Sequence, residues 1–285
     1  MKDESTIAVI VTFNPKSDQL IKNISNVIID NGFVLCVDNG SNNSTFDNPF
    51  FKNNPNLYLI RLANNKGLAY AQNVGIEYAK GHDFDYVTFL DQDSDLPPHF
   101  TQKMIKEYDV AAFKYHNIGM LVPNFFDKNI KEFTHFAKLT KHSYVTKKFK
   151  GEHFLMVSFA VASGSLMRVD LFNKVGMFID KFFIDQIDTE FCLRLLSHDF
   201  TIIATSKVVL KHTIGNRKKK KLFFLTIKPN YHSEFRKYTI FRNGVKTVRI
   251  YGNKFKGFRI LMNRRFVHDF IGVVFFEKHK AVKIK

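Results

Sequence analysis

Two hydrophobic periodicities alternate along the first half of the chain. "IAVIVTFN" (7–14) is a continuous β-branched run closed by Asn14-Pro15, the pattern of a strand buried on both faces and followed by a turn. The period then lengthens: "SDQLIKNISNVIIDNG" (17–32) puts Leu20, Ile24, Val27 and Ile28 on one helical face, with Ser17 or Asp18 as cap and Gly32 as stop. "FVLCVDNGS" (33–41) returns to the strand pattern and ends in Asp38 and a turn. The alternation recurs with "LYLIRL" (57–62) as strand, "GLAYAQNVGIEYAKG" (67–81) as helix and "YVTFL" (86–90) as strand. Such a succession predicts an α/β fold, a mostly parallel sheet flanked by helices with right-handed crossovers. The strand ends at Thr12-Phe13-Asn14, Asp38 and Asp91-Gln92-Asp93 then share one edge, where open α/β sheets bind ligands.

The last of these ends is acidic. In "FLDQDSDLPPHF" (89–100) Asp91, Asp93 and Asp95 fall at every second position ahead of two prolines. A calcium loop is excluded, because its sixth position needs Gly and holds Leu96, and its twelfth needs Glu and holds Gln102. No G-x-G-x-x-G follows the first strand and no G-x-x-x-x-G-K-[ST] occurs, so neither a dinucleotide fingerprint nor a P-loop is present. A divalent cation, Mg²⁺ or Mn²⁺, held by Asp91 and Asp93 is the economical way for such a strand end to bind a diphosphate.

Charge divides the chain. The net charge is +17, yet residues 211–285 hold 21 Lys and Arg against Glu234, Asp269 and Glu277, so the first 210 residues are close to neutral. This places a boundary near residue 215, between a body (1–215) and a basic, mainly helical C-terminal extension (216–285) with interleaved aromatics. Cys36 and Cys192 lie in apolar surroundings, which predicts reduced core thiols and a reducing compartment. The charged start of the chain reads as neither a secretory signal nor a transit peptide, and "FIGVVFF" (270–276) is far too short to span a membrane.

"IAVIVTFN", "CVDNGS", "NNKGLAYAQNVGI", "FLDQDS", "ASGSLMRVDLFNKVGMF", "FIDQIDTEFCLR" and "KHTIG" stand in the order and at the spacing of family-2 glycosyltransferases with the GT-A (Rossmann-like) fold. More narrowly, "DQDS" and "FID-x-x-D-T-E-x-x-x-R" resemble the bacterial rhamnosyltransferases. The resemblance covers about residues 7–216 and, weakly, "RKYTIFRN" (236–243). It implies an inverting, metal-dependent transfer of a sugar, rhamnose from dTDP-rhamnose, onto a growing lipid-linked bacterial surface polysaccharide. A UDP-hexose or UDP-galactofuranose donor is the alternative within the class. An inactive carbohydrate-binding subunit and a nucleic-acid-binding protein are the alternatives outside it.

The resemblance also implies roles. Asp91 contacts the nucleotide or the metal beside Gln92, Asp93 ligates the metal, and His212 completes the metal site, though a lone His after a strand also suits the surface or the core. Asp38, otherwise an Asx-turn residue, hydrogen-bonds a pyrimidine ring whose site Thr12, Phe13 and Asn14 complete. Gly67 permits close approach of the donor or only starts a helix. Gly164, within Ser163-Gly164-Ser165, lies against donor and acceptor or is a packing site. An inverting transfer needs a carboxylate base, and counting back from Arg194 puts Asp188 on that position, ahead of Asp185, which is also placed to cap the helix, and Glu190. For the tail, basic residues with Phe and Leu on another face describe a helix at an anionic membrane interface, and nucleic acid is the less favoured partner. The implied place is the cytoplasm, peripheral on the inner face of the cell membrane, with the oligomeric state left open.

Overall fold

The computed structural model describes residues 5–29, 32–212, 220–222, 225–227, 231–277 and 280–284. The apolar runs form the centre of one large sheet: β1 (Thr6–Thr12), β2 (Phe33–Asp38), β3 (Leu57–Arg61) and β4 (Tyr86–Asp91) pair in parallel, in the spatial order β3-β2-β1-β4. Ile7 to Ile10, Val34 to Val37 and Phe89 are buried because helices cover both faces of these strands. The helices of this half are α1 (Ser17–Ile28), α2 (Leu68–Gly81) and α3 (Phe100–Ala112). α1 buries Leu20, Ile24 and Val27 as the period predicts. It ends at Ile28, short of Gly32, and neither Ser17 nor Asp18 caps it, since the cap position falls on Lys16 with no side-chain hydrogen bond.

The sheet continues past β4 with a change of direction. β5 (Ile118–Asp127) leads into a hairpin with β6 (Glu132–Phe133). A separate ribbon of β7 (Phe136–Leu139) and β8 (Tyr144–Lys147) follows, and then β9 (Phe154–Val157) and β10 (Leu166–Arg168). β10 slots antiparallel between β4 and β5. After α4 (Leu171–Val175) and α5 (Ile187–Ser197) the long β11 (Thr201–His212) runs parallel to β5 and antiparallel to β9. Cys36 and Cys192 are free and buried, and burial pushes both thiols well up, Cys192 to about 12.

The basic region contributes a short hairpin, β12 (Lys220–Leu222) with β13 (Leu225–Ile227), and three helices, α6 (Glu234–Tyr251), α7 (Lys256–Phe276) and α8 (Lys280–Ile284). Ser233 caps α6 by accepting from the Arg236 N–H. Lys237, 1% exposed, forms an ion pair with Glu277, which Lys283 also meets at 2.9 Å. Burial alone would raise the Glu277 carboxyl, but hydrogen bonds from Lys283 and Lys237 hold it below its ordinary value. α7 does not sort its residues into one apolar and one basic face: Leu261 and Met262 are buried, while Val267 and Phe270 are exposed among the arginines.

Candidate functional site

Register brings the predicted strand ends together. Thr12 lies opposite Asp38, and Val11 opposite Asp91, so the ends of β1, β2 and β4 meet at one edge of the sheet. At the end of β4, the Asp91 N–H donates to Ser163 Oγ at 3.2 Å, and Ser163 Oγ lies 3.3 Å from Ser94 Oγ. Gly164 follows with φ +78°, and a Cβ there would stand 2.7 Å from Leu210, so the position demands glycine for the fold and its neighbours are core side chains. Asp93 is exposed at the turn. The Asp95 N–H donates to Lys211 O at 3.1 Å, which seats the end of β11 beside this turn. His212 is the last residue of β11 and pairs in register with Asp127; its side chain lies outside the described residues.

The neighbouring strand ends form a dense polar nest. Asp38 is buried; one carboxylate oxygen accepts from Ser41, through both N–H and Oγ, and the other accepts from Arg61 Nε at 3.2 Å. A carboxylate offers about four acceptor sites, so these bonds leave room for one more donor. Thr12 Oγ1 is buried with no hydrogen-bond partner among the described residues. Asn14 adopts φ +46°, its N–H donating to Ser41 Oγ and its Oδ1 accepting from the Asn42 N–H. Gln92 turns back to grip the Phe13 backbone, accepting from its N–H at 2.8 Å and donating to its carbonyl at 3.3 Å. Gln92 therefore holds the β1 and β4 ends together and leaves the Phe13 ring exposed on the rim.

Gly67 joins this edge to the next element. Its φ of +94° favours glycine, and a Cβ would meet Phe183 at 2.6 Å. The Leu68 N–H donates to Phe183 O, so the start of α2 rests on the loop that leads into α5.

That loop and helix carry the carboxylates at 185, 188 and 190, and each has a different fate. Glu190 is buried and held by Arg194 and by Tyr251 Oη at 2.8 Å. Asp185 is not a helix cap: it accepts from Arg236 and from Thr239 Oγ1 at 2.9 Å, while Gln186 occupies the cap position in a left-handed conformation. The reason is charge, since a guanidinium from α6 offers more than the backbone N–H groups of a first turn. Asp188 is half-buried, lines a cavity, and is pushed up to about 7 by burial, then by the Asp91 carboxylate and by Asp185, against a lowering hydrogen bond from the Ala162 N–H. Adjacent residues thus bridge the site, Ser163 at Asp91 and Ala162 at Asp188.

The C-terminal region reaches into this arrangement. Asn243 Nδ2 donates to the carbonyls of Phe182, Ile184 and Asp185 at 2.9, 3.0 and 2.9 Å. The local sequence around Asp188 does not announce these supports; the weak "RKYTIFRN" signal contains Arg236 and Asn243. Asn243→Ala unties the loop without touching Asp188, and is expected to lower the kcat of the transfer that the sequence resemblance implies by about ten-fold or more, through misplacement of the carboxylate which that resemblance makes the base. Steady-state kinetics on the variant, with circular dichroism to confirm the fold, checks this.

Residues 8–176 match the family model described as "Glycosyl transferase family 2". The chain belongs to that family. It is 30% identical over 244 residues to the "dTDP-rhamnosyl transferase RfbF" of Shigella flexneri, which covers 85% of this chain and 79% of that relative. Among solved structures, S. aureus TarS superposes with a TM-score of 0.55 at 16% identity over 74% of this chain and 37% of TarS. TarS 1–349 in complex with UDP-GlcNAc superposes equally, over 76% of this chain and 60% of that one. This chain spans less than two thirds of either structure's length. The likeness establishes the GT-A fold, and with the family match the protein is a rhamnosyltransferase-like glycosyltransferase that transfers a sugar.

Proposed function

We propose that the protein inverts an anomeric centre as it moves rhamnose from dTDP-rhamnose onto a lipid-linked bacterial surface glycan, with Asp188 as the base. The observation that carries this reading is the inequality of the three carboxylates. Asp185 and Glu190 are engaged by arginines, whereas Asp188 lines a cavity with its proton affinity raised to about 7, where a carboxylate can take a proton from an attacking hydroxyl. The donor assignment rests on the rhamnosyl relative. Asp38, with Thr12, Phe13 and Asn14 around it, suits the ring N–H that thymine and uracil share, so a UDP-sugar is the competing donor. Incubating the purified chain with dTDP-rhamnose, UDP-N-acetylglucosamine, UDP-galactose or UDP-galactofuranose, with Mg²⁺ and with Mn²⁺, should release nucleotide from dTDP-rhamnose at least about ten-fold faster than from the others. Preference for a UDP-sugar moves the assignment to the alternative donor.

The end of β4 suits a divalent cation. Among the described residues no three His, Cys, Asp or Glu converge as a closed metal cage. An ion of the Mg²⁺ type, however, takes one or two protein carboxylates and completes its shell with water and phosphate oxygens. Asp91 and the exposed Asp93 offer such a partial set, and the mutual repulsion of Asp91 and Asp188 is what a cation beside Asp91 relieves. Asp91 and Asp93 would hold the ion, with His212 the proposed third ligand. Its chemistry when bound is to neutralise charge on the departing diphosphate.

Residues 1–215 are assigned the transfer chemistry and 216–285 the contact with an anionic membrane at the inner face. No described helix is long and apolar enough to cross a membrane. Exposed Phe235, Tyr238, Phe270 and Val282 gather around one apolar cavity between α6, α7 and α8, in a region of strongly positive charge. Binding to vesicles is expected to increase with the fraction of anionic lipid and to weaken with salt, because screening limits the reach of each charge to about 8 Å at physiological ionic strength. Tight binding of nucleic acid at that salt, with no vesicle binding, reverses the assignment.

A further inference from the structure

The cavity that Asp188 lines holds two further carboxylates that no step above uses, Glu132 exposed at its rim and Asp127 sunk in its wall. Asp127, the last residue of β5, is 1% exposed. One of its oxygens accepts from the Asn129 N–H at 2.9 Å, and the other, Oδ2, has no hydrogen-bond partner among the described residues. Native proteins seldom leave a buried carboxylate oxygen unsatisfied, because its desolvation is uncompensated until a donor arrives. Asp127 therefore stands as a preformed acceptor for a hydroxyl or amide N–H supplied by a ligand.

The rest of the cavity says what kind of ligand. Its volume is about 420 Å³, enough for a sugar ring with a substituent, and its wall is aromatic. The β5–β6 hairpin places Phe133 across from Phe126, with ring centroids 5.2 Å apart and Phe133 left 47% exposed. Phe159 and Val161 line the cavity together with Asp188. A cavity whose lining combines aromatic rings with one sunken carboxylate matches a pyranose, which has an apolar C–H face and a rim of hydroxyl donors. A nucleotide diphosphate fits badly, since its charge would meet three carboxylates, Asp127, Glu132 and Asp188, against one guanidinium, Arg265, among the described lining residues.

We infer that this cavity is the acceptor subsite, that it takes the terminal pyranose of the acceptor glycan, and that Asp127 selects it by accepting one of its hydroxyls while the aromatic lining, with Phe133 at the rim, packs against the ring. The inference rests on the transfer reading above and names the substrate class of the same site. It assigns Asp127 to recognition and leaves proton removal to Asp188. A site built around one hydroxyl discriminates strongly against the analogue that lacks it.

The experiment measures direct binding, without donor, of p-nitrophenyl α-L-rhamnoside, β-D-galactoside and β-D-N-acetylglucosaminide by saturation-transfer NMR. Acceptor and donor KM for the best of them follow in the transfer assay. Asp127→Asn keeps an oxygen for the Asn129 N–H, and Phe133→Ala alters only a half-exposed ring, so both variants are expected to fold. The expected result is a rise of about 10- to 100-fold in acceptor Kd and KM for Asp127→Asn, the worth of a hydrogen bond to a charged group, and a smaller rise for Phe133→Ala. Donor KM stays near the wild-type value in both. Unchanged glycoside binding in both variants, or no binding of any of the three glycosides to the wild type, overturns the inference. So does an Asp127→Asn effect confined to the concentration of Mg²⁺ or Mn²⁺ needed for half-maximal rate, which would make Asp127 a support of the cation site. Asp127-dependent glycoside binding without transfer from any nucleotide sugar leaves the subsite standing and removes the transfer reading.

Discussion

Asp188→Asn is expected to reduce sugar transfer by about 10²- to 10⁴-fold while donor affinity is retained, because the amide keeps the shape of the carboxylate and loses its basicity. The same substitution is expected to stabilise the protein. Asp188 holds its proton up to about pH 7 in the fold, against an ordinary value of 3.8, so between these limits the native state binds more protons than the unfolded chain. Stability from this group is then fully present below about pH 4 and is lost as the pH rises through 7. The Tm gain of the Asn variant should accordingly be absent at pH 4, grow to pH 7 and stay constant above it. In the wild type, log(kcat/KM) should climb with pH through about 7 as the base loses its proton. Scanning calorimetry across pH and a pH–rate profile test both halves. If donor affinity collapses with the rate, Asp188 is a structural or donor-binding group.

Opposed effects on rate and stability are expected where burial and neighbouring like charge raise a carboxyl for function. Asp185 and Glu190 differ from Asp188 in the arginines that engage them, and a partner's distance along the chain explains what the sequence does and does not disclose. The parallel strands were legible because strands buried on both faces read as unbroken β-branched runs, and the acidic end of β4 because prolines follow it. α2 runs from Leu68, one residue after Gly67, as its pattern predicts. The sequence offers Asp185 as a helix cap because its actual partner, Arg236, is 51 residues away and belongs to a region whose charge alone suggests a surface role. Asp127 is silent in the sequence for a related reason. A single Asp at a strand end is unremarkable in sequence, and its lack of a partner exists only once the hairpin and α5 have closed around it. Periodicity reports which face a residue occupies; it does not report whether a buried polar atom has found a mate.

Asp93→Ala is expected to bring transfer down to background, and treatment of the wild type with EDTA to do the same until Mg²⁺ or Mn²⁺ is restored. The argument begins with the exposed Asp93 and half-buried Asp91 at one turn, which Ser163 and Ser94 brace from behind. Removing a carboxylate there leaves the leaving diphosphate's charge uncompensated. A second readout separates loss of the cation from a damaged fold, because Asp91 is the largest charged contributor to the raised proton affinity of Asp188. Positive charge beside Asp91 offsets that contribution, so the ascending limb of kcat, measured with donor and cation bound, should lie below the limb near 7 of the free enzyme. Asp91→Asn should lower the Asp188 proton affinity in the free protein for the same reason, which a carbon-detected NMR titration of the side-chain carboxyl can follow without any turnover. Full activity in Asp93→Ala, or undiminished wild-type activity in EDTA, would remove the cation from the reaction and leave Asp91 as a contact to the nucleotide.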